Sequence, residues 1–146
     1  MTALFDAIAH TVLETDLRLH DEGRADEKVL VVVMTDGLEN SSTDFDGPAI
    51  AKLIRGYDER PNWTFVYLGA GHGSIRVTQD VAEQMSFKAG NAMRWSADEA
   101  STRKAMESLA DATQGRRASA DLKSESFFAD AGQSEGDYVK PEQDDD

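Results

Sequence analysis

Apolar residues run without a break from Val29 to Met34 and stop at Thr35-Asp36-Gly37. A short, continuous, β-branched run of this kind reads as a strand buried on both faces, as in the interior of a parallel sheet. Trp63 to Leu68 is dense in aromatic and β-branched residues and reads as a second strand. Elsewhere the period is helical. Between Thr2 and Leu19, the residues Leu4, Phe5, Ile8, Val12 and Leu19 fall near one stripe, with Asp6, His10, Glu14 and Arg18 off it. Thr2 is placed to cap that helix. Asp21 to Lys28 is a charged connection containing Gly23, and Asp36 to Asp46 is a polar loop with turn chemistry. Gly47-Pro48 opens a second helix, in which Pro48 suits the first turn and Ile50, Leu53, Ile54 and Tyr57 form the apolar stripe. A third helix is expected over Ser74 to Gln84 and a short strand about Ala92-Met93-Arg94. A last helix is expected from Ala97 to Thr113, with Ala100, Met106 and Leu109 inward.

Strands alternating with helices predict an α/β fold: a short parallel sheet, right-handed crossovers and helices on both faces, giving three layers. The pattern fades after residue 114. Residues 1–114 are therefore expected to form the α/β domain, and 115–146 an acidic, flexible tail. The tail sets Arg116, Arg117, Lys123 and Lys140 against nine acids. Its one apolar pair, Phe127-Phe128, is expected to dock back on the domain.

Composition narrows the function classes. The chain has 146 residues and no cysteine, which leaves no disulfide, no thiolate metal site and no cysteine nucleophile. No apolar run approaches the ~18 residues of a membrane span. The start of the chain lacks the basic and apolar regions of a signal peptide, and a cytoplasmic location is expected. The net charge is −13. Such a field repels nucleic acid and anionic membranes and favours cations or basic partners.

Asp36 stands at the carboxyl end of a buried strand, where open α/β sheets hold their ligands. Three readings of it follow. The first is metal ligation by hard oxygens, with Thr2, Asp36, Ser41 and Ser42 as candidates and magnesium as the fitting ion. The second is aspartyl-phosphate chemistry, which calls for a second acid two residues on, where this chain has Leu38. The third is a structural turn. Gly69-Ala70-Gly71-His72-Gly73 also follows a strand, as nucleotide-binding loops do. Its spacing puts Ser74 where the third glycine belongs, so a tight turn is the reading preferred. His10, His20 and His72 lack partners in sequence, and no nucleophilic or paired-carboxylate arrangement is found; the chain reads as a non-enzyme.

Thr35-Asp36-Gly37-Leu38-Glu39-Asn40 at the end of the strand resembles the Thr-Asp-Gly motif of von Willebrand factor type A domains. Thr2-Ala3-Leu4-Phe5-Asp6-Ala7-Ile8 resembles that family's Thr-x-Leu-x-Asp-Ala-Ile segment. The resemblance covers about Thr2 to Thr113. It implies a Rossmann-like three-layer fold with a metal-ion-dependent adhesion site (MIDAS) at the top of the sheet, usually holding magnesium. In the family, a partner's acidic side chain commonly completes the coordination, and the activity is protein binding. The resemblance carries the metal-ligating roles to Thr2 and Asp36.

The family's Asp-x-Ser-x-Ser loop and the strand before it have no counterpart here, so the resemblance is to the back half of such a domain. Three explanations stand open: Met1 is internal to a longer protein, the domain is completed by another subunit, or two copies join as a homodimer through Val29–Met34. In the last case the metal site is expected to be vestigial. The expected function is a protein-binding module with a partial MIDAS-like site. The alternative is a small acidic interaction or inhibitor protein acting through charge and dimerisation, without metal.

Overall fold

The computed structural model describes residues 3–35, 41–70, 82–88, 91–95, 98–119 and 127–130. In chain order these form α1 (Leu4–Asp21), β1 (Val29–Thr35), α2 (Gly47–Asp58), β2 (Trp63–Ala70), β3 (Ala92–Trp95), α3 (Glu99–Ala118) and a helical turn α4 (Phe127–Asp130). The three strands make one parallel sheet in the order β1-β2-β3. Val29 stands opposite Trp63 and Thr35 opposite Gly69; Tyr67 stands opposite Ala92.

Side chains alternate across a strand, and the two cores follow that alternation. Trp63, Phe65 and Tyr67 point to the face covered by α1, α2 and the segment 82–88, where they meet Ile8, Val12, Ile54 and Phe87. Val66 and Leu68 point to the other face, where they meet Met93, Ala105, Ala112, Phe127 and Phe128. The molecule is thus an α/β protein with helices on both faces of a small parallel sheet.

Which strand is interior differs from the expectation. β2 is the strand buried on both faces, whereas β1 lies at an edge and leaves Val32 at 37% and Met34 at 38% exposure. Of the run Val29–Met34 only Val33 is fully buried, Val29 to Val31 are half-buried, and Thr35 just beyond the run is buried. On the opposite face α3 covers β2 and β3 and leaves the carboxyl half of β1 open.

The first helix buries Leu4, Ile8, Ala9, Val12 and Leu19, the expected stripe with Ala9 added, while Phe5 is half-buried. Its N-cap residue is Ala3, which has no side-chain acceptor, so the cap expected of Thr2 falls one residue away. At the other end Gly23, at φ 70°, closes the helix: its N–H donates to the His20 carbonyl at 3.1 Å and that of Arg24 to the Leu19 carbonyl at 2.7 Å. This is the left-handed helix ending that glycine supplies without strain. Helix α2 opens as expected at Gly47-Pro48, with Asp46 as cap: its carboxylate accepts from the Ala49 N–H at 2.8 Å. Asp16 on α1 ties that helix to the end of α2 and the residues just after it. The Asp16 carboxylate accepts from the Tyr57 hydroxyl at 2.7 Å and from the Arg60 guanidinium at 2.8 Å. Partial burial opposes ionisation of Asp16, and these two donors outweigh it, leaving its pKa below the ordinary value.

The last long helix corrects the expectation twice. It runs to Ala118, past Thr113 and past the boundary drawn at 114. It turns Ala105, Ser108, Ala112 and Arg116 inward, with Leu109 half-buried, while Ala100 and Met106 face out. Those inward positions are spaced three or four apart, one face of a helix. Its carboxyl end reaches the start of β1, where the Lys28 ammonium donates to the Ser119 carbonyl at 2.6 Å. Phe127 and Phe128 dock as expected, at 2% and 0% exposure, and the Phe127 N–H donates to the buried Asn91 side chain at 2.7 Å. Of the expected third helix, Ser74 to Gln84, the described part 82–84 is helical and the rest lies outside the described residues.

Candidate functional site

In a parallel sheet every strand ends at the same edge, and ligands bind in the crevice beyond it. Here β1 ends at the buried Thr35 and β2 at Ala70. Helix α1 precedes β1 and runs back across the sheet, so its first turn stands at this same edge. Three pieces therefore meet there: the amino end of α1, the loop 41–46 and the start of α2.

Asp6 joins them. From the first turn of α1 its carboxylate accepts backbone N–H groups of Thr43 at 2.8 Å, Asp44 at 3.1 Å and Phe45 at 2.8 Å. In return the Asp6 N–H donates to the Ser42 hydroxyl at 3.1 Å. Successive backbone N–H groups turned toward one carboxylate form an anion-binding concavity. The N–H of Thr43 above all, with those of Phe45 and Asp44 and the nearby His10, holds the Asp6 carboxyl below the ordinary aspartate range against the opposing effect of desolvation. An acid in the first turn of a helix also meets the positive end of the helix dipole. His10, one turn further along α1, has its Nε2 3.3 Å from the Asp44 carboxylate and its ring edge-on to Phe45, with centroids 6.2 Å apart. Both His10 and Asp44 are exposed.

Of the four candidate oxygens, Thr2 and Asp36 lie outside the described residues. Ser41 and Ser42 are half-buried at the head of the loop, and the Ser42 hydroxyl is engaged by Asp6. Among the described residues no group of three or more His, Asp or Glu is placed to hold a metal ion. In the glycine loop, Gly71, His72 and Gly73 also lie outside the described residues, and no described helix is long and apolar enough to cross a membrane.

Sequence reading placed Asp6 among the polar positions of α1 and missed what it does. The signal available was an acid in a first turn together with a distant Ser-Thr-Asp loop. The pairing of the two is visible only in three dimensions.

Set against known proteins, the chain matches no family model, no curated protein and no solved structure.

Proposed function

We propose that this chain is a non-enzymatic protein-binding module of von Willebrand factor type A kind, with a partial MIDAS-like site. In this reading Thr2 and Asp36 are the metal-ligating residues and magnesium is the cation. The fold is the back half of the Rossmann-like three-layer domain of that family, and the protein works in the cytoplasm. One observation carries the reading. Asp6, within the first resembling segment, binds the loop 43–45 that comes soon after the second, and this proximity supports the reading.

The roles of the chain's own groups follow. Asp6 fixes the loop 42–45 and the hydroxyls at its head. Asp36 and Thr2 supply oxygen ligands, with water filling the other positions, and a bound cation would attract a partner's carboxylate. The surface about Ser41–Phe45 forms the rim of the contact. The partner also meets the chain along Val29–Met34, either as a second copy or as a complementing subunit. Calorimetric titration of magnesium into the full chain tests the metal role. Micromolar binding that Asp36→Ala abolishes supports it; absence of binding removes the metal from the reading.

A second reading from a different class is a small acidic interaction or inhibitor protein that uses charge without metal. The net charge of −13 and the lack of a metal-holding group among the described residues favour it. Partner binding that falls steeply with salt and ignores EDTA selects this reading over the first.

A further inference from the structure

We infer that the outer edge of β1 accepts an extended, basic-flanked segment of a different protein as a fourth strand. The inference deepens the protein-binding reading and rests on it, and it is independent of the metal.

Three observations carry it. No described strand lies beyond β1, so its outer side presents the row of backbone donors and acceptors of an edge strand. Natural edges are blunted by lysine, proline, bulges or inward charges, and Val29–Met34 has none of these. Two of its side chains on the face away from α1 and α2, Val32 and Met34, are more than a third exposed, ready to pack beside alternate side chains of an added strand. This is the arrangement that β-strand addition uses: main-chain hydrogen bonds hold the segment and alternate side chains select it.

Charge chooses the occupant. Asp21, Glu22, Asp26 and Glu27 lead into β1 and are exposed. Arg24, which pairs with Glu22 and Glu27 at 2.7 and 2.6 Å, and Lys28 offset part of this charge, and the connection 21–28 keeps two more acids than cations. Beyond the other end of the strand the loop carries the exposed Asp44 and Asp46. Both approaches to the edge are acidic, on a chain of net charge −13. A second copy would bring the same acids against them. A strand with an apolar, β-branched centre and basic flanks meets complementary charge at each end.

The test uses the full chain in EDTA and a synthetic peptide of alternating valine and threonine flanked by lysine pairs. The expected result is one peptide bound per chain, with slowed amide exchange at Val29–Met34. Affinity should be on the order of tenfold above that of the same peptide flanked by glutamate. Val32→Lys and Met34→Lys, at positions already exposed, should each weaken binding while leaving the fold intact by circular dichroism. A peptide N-methylated through its core, unable to donate, should not bind. Equal binding of the lysine and glutamate peptides, binding of the N-methylated peptide, protection elsewhere, or no binding overturns the inference. So does a dimer in light scattering that Val32→Lys dissociates, because the edge then belongs to a second copy. Peptide binding in EDTA by a chain that takes no magnesium upholds the strand and removes only the metal.

Discussion

Three glycines of this chain sit in helical surroundings with open space where a Cβ would stand, and their backbone angles decide what each is for. Gly23, Gly56 and Gly115 have nothing within 4 Å of that position. Gly23 is left-handed at the end of α1, whereas Gly56 and Gly115 lie inside α2 and α3. Gly23→Ala should therefore cost about 1 kcal/mol, from the left-handed backbone alone. Gly56→Ala and Gly115→Ala should each stabilise by about 0.5–1 kcal/mol. Urea unfolding of the three variants checks the opposite signs. Asp6 gives a prediction in pH. Its folded-state pKa is depressed, so its contribution is present above the unfolded value, about 3.9, and disappears as pH falls through the folded value. Asp6→Asn keeps one acceptor and turns an amide donor toward the Thr43–Phe45 N–H groups, so it should unfold more easily than the parent at neutral pH. The gap should close in acid. Parallel urea curves across the acid range measure it, and a gap that persists at the acid end contradicts the assignment.

At the scale of elements, the sheet's second face depends on a short turn that sequence periodicity could not place. The Asn91 side chain is buried and receives the Phe127 N–H, pinning α4 beside the start of β3. Asn91→Leu leaves that N–H buried without its acceptor, at about 1–3 kcal/mol. Phe128→Ala, at a fully buried ring, should cost about 3–5 kcal/mol. Thermal unfolding followed by circular dichroism reads both. The aromatic pair was legible as a docking point because it is the one apolar spot in an acidic stretch. The inward face of α3 was not legible, for a physical reason. The residues it buries are Ala105, Ser108, Ala112 and Arg116, small or polar, while the larger Met106 points outward. Small residues let a helix approach a sheet closely, and a search for large apolar side chains passes over that face. The order of helices and strands was legible from periods of two and of about 3.6 residues. Which strand is central was not, since β1 is the more continuously apolar and β2 carries Thr64 within it. The aromatic rings of Trp63, Phe65 and Tyr67, which fill the space under α1, α2 and Phe87, mark the centre.

Over the whole molecule, the Asp6 carboxylate joins the first turn of α1 to the loop 43–45, and the apolar β1 stands last in the order of the described strands. The residues the sequence singled out, Thr2 and Asp36, lie outside the described residues; the joint that is described, Asp6 with the loop 43–45, was not legible, because it is made by main-chain N–H groups whose directions no side-chain pattern records. The parallel arrangement of the strands has one more consequence. Each register pair, Val29 with Trp63 and Tyr67 with Ala92, joins residues far apart in sequence, so no hairpin among the described strands seeds the sheet. The chain must close a long loop before its first ladder bond forms, and contacts of that kind come slowly. β2, the shared partner of both ladders, is where folding has to commit. Until it does, Val29–Met34 is an uncovered apolar segment on both of its edges, and a partner strand already present would meet the chain at its most receptive moment.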